Sequence, residues 1–216
     1  MTELPPLPPT TAVADVLALR GRRGWLSPPL RRMVPSSRGS AGLVGTARTV
    51  SLRPGRGGFG PLYDLLSEDL GDQVLVVGTP SNDVAVWGAI LSTAAAQVGL
   101  TAVLVDGPVR DVGECCTLAV PLWASATRTV GPAGGLEVAS IGEPVDIGEV
   151  TVDEGTVVIA DDDGVVALPY TDADTLLADA VTYAVAEERV STAVRSGTAL
   201  RDAYRLKSDA VARLLA

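Results

Sequence analysis

The sequence predicts an α/β fold built around a buried parallel sheet, on three observations. QVLVVGT (73–79) and TAVLVDG (101–107) are short apolar runs rich in β-branched residues, and the Ala-rich stretch DVAVWGAILSTAAAQVGL (83–100) joins them. Strand, helix and strand with short joints form a βαβ unit. Beyond residue 112 the spacing changes to short strands punctuated by Gly, Pro and Asp, which predicts a β-rich layer. From Thr171 to Ala216 the pattern is helical, interrupted near Ser196 and Gly197. A chain of 216 residues that is 47% hydrophobic suffices for one large core. The expectation is a disordered Pro-rich arm over 1–10 and a single domain over 11–216.

Each element follows in order. TAVADVLALRG, from Thr11, has a threonine available as N-cap, apolar residues at helical spacing and Gly21 as a stop, so it reads as a short helix. Residues 22–41, rich in Arg, Pro, Ser and Gly, read as an irregular connection before the strand LVGTARTVSL (43–52). A Gly-rich turn, PGRGGFG, leads into the amphipathic PLYDLLSEDL. The helix over 83–100 is expected to end at Gly99, and the strand 101–107 to stop at its Asp-Gly turn. Open sheets of this kind bind ligands where loops leave the carboxyl ends of strands, so 79–91 and 106–112 are expected to face one another.

Charge narrows the function. Lys and Arg total 17 against 26 Asp and Glu, a net charge of -9 that disfavours phosphate backbones and anionic lipid surfaces. The basic residues Arg20, Arg22, Arg23, Arg31, Arg32 and Arg38 are broken up by Gly, Pro and Ser without interleaved aromatics, which reads as a solvated or subunit-facing surface. No nucleic acid or membrane partner is expected. With no histidine, the commonest general base, the usual zinc ligand and Ser-His or Cys-His nucleophiles are all excluded. Cys115 and Cys116 are adjacent and build no disulfide framework. With no leader-like N-terminus and no membrane-length apolar run, a cytoplasmic protein is expected.

VDGPVRDV (105–112) sets a cation beside an anion immediately after a buried strand. Asp111 is of the type that holds a hard, hydrated divalent cation, and Arg110 grips a carboxylate or carbonyl oxygen through its planar fork. An N-cap Asp with a neighbouring surface Arg explains the pair equally well. Opposite lies GTPSNDVAVWGAIL (78–91). Inside a helix Gly88 costs about 1 kcal/mol relative to Ala, so either a helix starts there or the backbone approaches something closely. A helix start frees the N–H groups of Ala89, Ile90 and Leu91 for a substrate carboxylate; close helix-to-sheet packing at Gly88 is the alternative.

WGAILSTAAAQVGLTAVLVDGPVRD (87–111) resembles the RraA-like, or 4-hydroxy-4-methyl-2-oxoglutarate aldolase, family: tryptophan-glycine, an Ala-rich helix and the glycine-x-valine-arginine-aspartate turn. LVGTARTV (43–50), PLYDLL (61–66), VLVVG (74–78) and ADDDGVVALP (160–169) match its other segments in order. The resemblance implies a β/β/α swivelling-type core with a C-terminal helical segment, assembled as a homotrimer or dimer of trimers. It further implies Mg²⁺ or Mn²⁺ on Asp111, substrate contact by Arg110, and a substrate carboxylate held by the backbone of Gly88, Ala89, Ile90 and Leu91. The chemistry it implies is cleavage of a small 2-oxo acid, such as 4-hydroxy-4-methyl-2-oxoglutarate or oxaloacetate, to pyruvate. One departure stands out: the family's active aldolases carry an Asp or Glu where this chain has Ala89. Asp83, in the same loop, is a candidate substitute. Ala89 also suits a non-catalytic regulator that binds a ribonuclease, or a specialised-pathway enzyme acting on another carboxylate. The run Asp161, Asp162 and Asp163 reads as a strand-to-strand turn.

Overall fold

The computed structural model describes residues 7–35, 42–118 and 120–215. In chain order the elements are α1 (Thr10–Leu19), β1 (Arg31–Val34), β2 (Leu43–Pro54), α2 (Gly60–Leu65), β3 (Gln73–Gly78), α3 (Ala89–Gln97), β4 (Ala102–Val109) and α4 (Val112–Cys115). There follow β5 (Leu122–Thr127), β6 (Leu136–Ile141), β7 (Val145–Ile147), β8 (Val150–Val152), β9 (Val157–Ala160), β10 (Val165–Leu168), α5 (Ala173–Arg195), α6 (Leu200–Ala203) and α7 (Ser208–Leu215).

The main sheet runs β1-β5-β4-β3-β2-β9-β10, with β6 also paired to β2. Its centre, β2-β3-β4-β5, is parallel, as buried βαβ strands require. β2 is the long strand that curls the sheet. One of its edges pairs with β3 over 46–51, while β9 takes 43–46 and β6 takes 50–54, both antiparallel. One face of the sheet buries Leu75, Val77, Val103 and Val105 against α2, α3 and α4. The opposite face buries Val74, Val76, Leu104 and Trp123 against the β7-β8 ribbon. Behind β9 and β10, α1 and α5 close a third cluster around Leu17, Ile159, Leu168 and Leu176. The result is the expected mixed α/β architecture with a curled sheet and C-terminal helices.

Four local expectations need correction. Of the Pro-rich arm, residues 1–6 lie outside the described residues, but α1 begins at Thr10, whose N–H and hydroxyl both donate to the buried Asp161 carboxylate. The connection over 22–41 is not wholly irregular, because Arg31–Val34 pairs antiparallel with β5. The helix expected from 83 begins only at Ala89, since the N–H groups of Ala85 and Val86 donate to the carbonyls of Val130 and Pro108. Asp106-Gly107 does not stop β4: the register shifts between Val105 and Pro108 and the strand continues to Val109, as a bulge allows.

Four of the N-terminal basic residues are ion-paired. Arg20 meets Asp179, Arg22 meets Asp172, Arg23 meets Glu149, and Arg32 meets Asp162 while lying over the Trp123 ring; Arg38 lies outside the described residues. Asp161–Asp163 make the β9-β10 turn, in which Asp161 N–H donates to the Gly164 carbonyl and the Asp161 carboxylate accepts from Asp163 N–H. None of the described helices is long and apolar enough to cross a membrane.

Candidate functional site

The site forms where β4 hands over to α4 and faces the start of α3. Trp87 and Val109 form an isolated parallel bridge, and Arg110 N–H donates to the Trp87 carbonyl at 2.9 Å. This register sets Arg110 and Asp111 directly against Gly88 and Ala89. Asp111 turns the chain from strand to helix in the left-handed region (φ 56°, ψ 33°), and its carbonyl accepts the N–H groups of Glu114 and Cys115. Among non-glycine residues Asp and Asn tolerate that conformation best.

Gly88 is extended and precedes α3, so backbone strain does not explain it. Space does. A Cβ there would stand 2.7 Å from Asp111 Oδ2 and 3.1 Å from Arg110 Cγ. Both readings of Gly88 therefore hold together: the helix starts next to it, and the side chains of Arg110 and Asp111 pack where its own would be. The Ala89 N–H points at Asp111 Oδ2 at 3.4 Å, while Ile90 and Leu91 complete the first turn. Arg110 Nε also lies 3.4 Å from Asp111 Oδ2, and each of the two side chains is more than two-fifths exposed. The far end of Arg110 passes over Gly131, where a Cβ would stand 2.9 Å from Nη1.

Beneath the turn runs a buried chain of polar groups. Trp87 Nε1–H donates to Ser92 Oγ at 2.9 Å, Ser92 O–H to Cys115 Sγ at 3.4 Å, and the Cys115 thiol to the Arg110 carbonyl at 3.8 Å. Burial pushes the Cys115 thiol above its ordinary range, so it serves as a neutral donor. The chain ties α3, α4 and the Arg110 backbone together.

A cavity of about 530 Å³ opens beside this turn, lined by Arg110 and Asp111 together with residues of α2 and α3. Gly88, Ile90 and Leu91 line it, as do Phe59, Leu66 and Ala94. A second hollow, lined by Thr127, Arg128 and Thr129, reaches Arg110 and Asp111 from the other side. The site residues expected from sequence are thus one cluster. Asp83 does not join it: that residue is exposed in a separate surface depression with Pro80 and Asn82. Gly131 and the α2 wall were not foreseen. Gly131 sits in a loop with only the unspecific signal GPAGG, while the 59, 63, 66 spacing of α2 does mark one helix face.

A family model described as RraA-like, Aldolase/RraA, matches residues 10–167. The chain belongs to the RraA-like family. Within it, DlpA of Legionella pneumophila is 28% identical over 121 residues, which cover 56% of this chain and 20% of DlpA. A putative 4-hydroxy-4-methyl-2-oxoglutarate aldolase of Halalkalibacterium halodurans is 26% identical over 59% of this chain and 60% of its own. The chain therefore spans less than two thirds of the length of these curated relatives. In fold, a Pseudomonas syringae pv. tomato protein matches 92% of this chain and 89% of its own, with a TM-score of 0.81 at 23% identity. Streptomyces coelicolor RraAS2, described as an unusual member of the RNase ES inhibitor RraA family, matches 82% of this chain and 88% of its own, with a TM-score of 0.71 at 28% identity. The RraA-like family includes both aldolases and non-catalytic ribonuclease inhibitors.

Proposed function

We propose that the chain is a divalent-metal-dependent carbon–carbon lyase that cleaves a small 2-oxo acid and releases pyruvate. The observation that carries this reading is the Asp111 carboxylate beside Arg110 in the lining of a largely apolar cavity. Asp111 Oδ2 has two polar neighbours, each at 3.4 Å, and is partly exposed, so its lone pairs are little used. Among the described residues no group of three or more His, Cys, Asp or Glu converges. A single carboxylate suits Mg²⁺ or Mn²⁺, hard cations that keep several waters and accept substrate oxygens.

When bound, such a cation supplies Lewis-acid polarisation of the 2-oxo acid's carboxylate and keto oxygens. Arg110 donates to the same oxygens and stabilises the negative charge that builds as the C3–C4 bond breaks. The N–H groups at the start of α3, from Ala89 to Leu91, hold the substrate carboxylate. Trp87 and Leu91 exclude water from that end of the cavity. Cleavage leaves the enolate of pyruvate, which takes a proton at C3, together with a second carbonyl compound or carbon dioxide. Ala89 carries no carboxylate, so in the retro-aldol direction the hydroxyl proton passes to water. Loss of such an outer-shell group lowers rate or metal affinity about tenfold to a hundredfold. A homotrimer or dimer of trimers goes with this reading, because Ile90 is 83% exposed at the cavity mouth and a neighbouring subunit would cover it.

The test is pyruvate release from 4-hydroxy-4-methyl-2-oxoglutarate and from oxaloacetate with added Mg²⁺. Turnover above that of Asp111→Ala is expected; equal rates overturn the reading. A second reading, a regulator that binds a ribonuclease, is favoured by Ala89 and by the likeness to RraAS2. Capture of the ribonuclease that chelator does not alter, with no pyruvate release, would select it.

A further inference from the structure

We infer that Arg128 is a specificity-determining residue of this site and holds the second carboxylate of a 2-oxo dicarboxylate. The inference rests on the 2-oxo acid reading above and adds the residue that selects the substituent. Position is the first observation. The N–H of Arg128 donates to the Val109 carbonyl at 3.0 Å, which fixes the residue after β5 against the residue before Arg110. Arg128 lines, with Arg110 and Asp111, one hollow of about 660 Å³ that Val112, Thr127 and Thr129 complete. A ligand seated at Asp111 therefore shares an open space with the Arg128 side chain.

Charge is the second. This hollow sets two guanidinium groups against one carboxylate, on a chain whose net charge is -9. In the reading above Asp111 takes the cation and Arg110 the keto and first-carboxylate oxygens, which leaves Arg128 uncommitted. Its Nη1 donates to the Thr127 carbonyl at 2.8 Å, and it pairs with no carboxylate among the described residues. Arg20, Arg48 and Arg53, by contrast, each meet an acidic side chain. A guanidinium fork with open N–H groups matches a carboxylate in its plane, and the hydroxyls of Thr127 and Thr129 add two further donors. An uncharged substituent would use none of these groups. In a retro-aldol substrate such as 4-hydroxy-4-methyl-2-oxoglutarate, the second carboxylate stays on the departing carbonyl compound and is charged throughout. Its pairing with Arg128 is thus as strong before the C3–C4 bond breaks as during the break, and it acts on binding rather than on the barrier.

The experiment is calorimetric titration of the full chain, with Mg²⁺ present, against 2-oxoglutarate and 2-oxopentanoate. These acids have the same chain length and differ only in the second carboxylate. Wild type should bind 2-oxoglutarate about tenfold more tightly, the scale of a charge-assisted contact that is partly screened by solvent. Arg128→Gln should erase the preference, and Arg128→Lys, which keeps the charge but not the fork, should restore part of it. Arg128 is exposed, so both variants should melt as wild type does. With 4-hydroxy-4-methyl-2-oxoglutarate as substrate, Arg128→Gln should raise KM by a similar factor at constant kcat, a split that a merely structural role would not give. Equal binding of the two acids by wild type, or a preference that survives Arg128→Gln, overturns the assignment of Arg128 and leaves the 2-oxo acid reading intact. No binding of either acid, nor of pyruvate, overturns both.

Discussion

A side-chain carbon on Gly88 would stand 2.7 Å from Asp111 Oδ2, so the carboxylate occupies space that only glycine leaves open at that position. The backbone of Gly88 is extended, and an alanine there is sterically costly only through what it displaces. Gly88→Ala should therefore fold with little change in melting temperature, because Asp111 and Arg110 are partly exposed and able to swing away. Pyruvate release and magnesium affinity should fall about tenfold or more, the scale of losing an orienting group near a metal ligand. Calorimetry alongside thermal melting separates the two effects.

Asp111 holds a left-handed conformation with no side-chain capping bond to offset it. A non-glycine residue held there costs about 1 kcal/mol or more. Asp111→Gly should relieve that strain and raise stability by about 1 kcal/mol in denaturant unfolding, while abolishing metal-dependent turnover. Lower stability in this variant would mean that the carboxylate contributes more to folding than its two long contacts suggest.

Ser92 accepts from Trp87 and donates to Cys115 in a buried environment. Ser92→Ala leaves the Trp87 indole N–H without its partner, at a cost of about 1–3 kcal/mol. The Arg110 carbonyl is the last acceptor in that chain, so substrate KM should rise as well. Chemical denaturation and steady-state kinetics give the two readouts.

Asp106 lies in the β4 bulge, half-buried, and burial alone raises its carboxyl above the ordinary value of 3.8. A folded-state value above the unfolded one stabilises the fold at low pH, and that contribution is lost as pH rises through the folded value. Asp106→Asn should then melt higher than wild type at pH 7. The gain should shrink as pH falls toward 4, which a pH series of thermal melts would follow.

The sequence made the pairing of 87–91 with 110–111 legible because one βαβ unit carries both, and the rules for such units act over short distances. The limits of the helix were not legible. Residues 83–88 have helical spacing, yet the N–H groups of Ala85 and Val86 donate to Val130 and Pro108, partners that local pattern cannot show. Asp106-Gly107 resembled a strand stop because turns and bulges use the same residues for the same conformational reason. Gly131 meets Arg110, and the α2 wall meets the cavity, only through the packing of the whole sheet.

β2 bonds to three neighbours, β3 along one edge and β9 and β6 in succession along the other. Pulling away either half of the sheet therefore breaks bonds of β2. The amides from Ala47 to Val50 should be the last to exchange with deuterium, at the free energy of global opening. The turn at Arg110 hangs from β4, one strand beyond β3, so its rigidity is inherited from that seam.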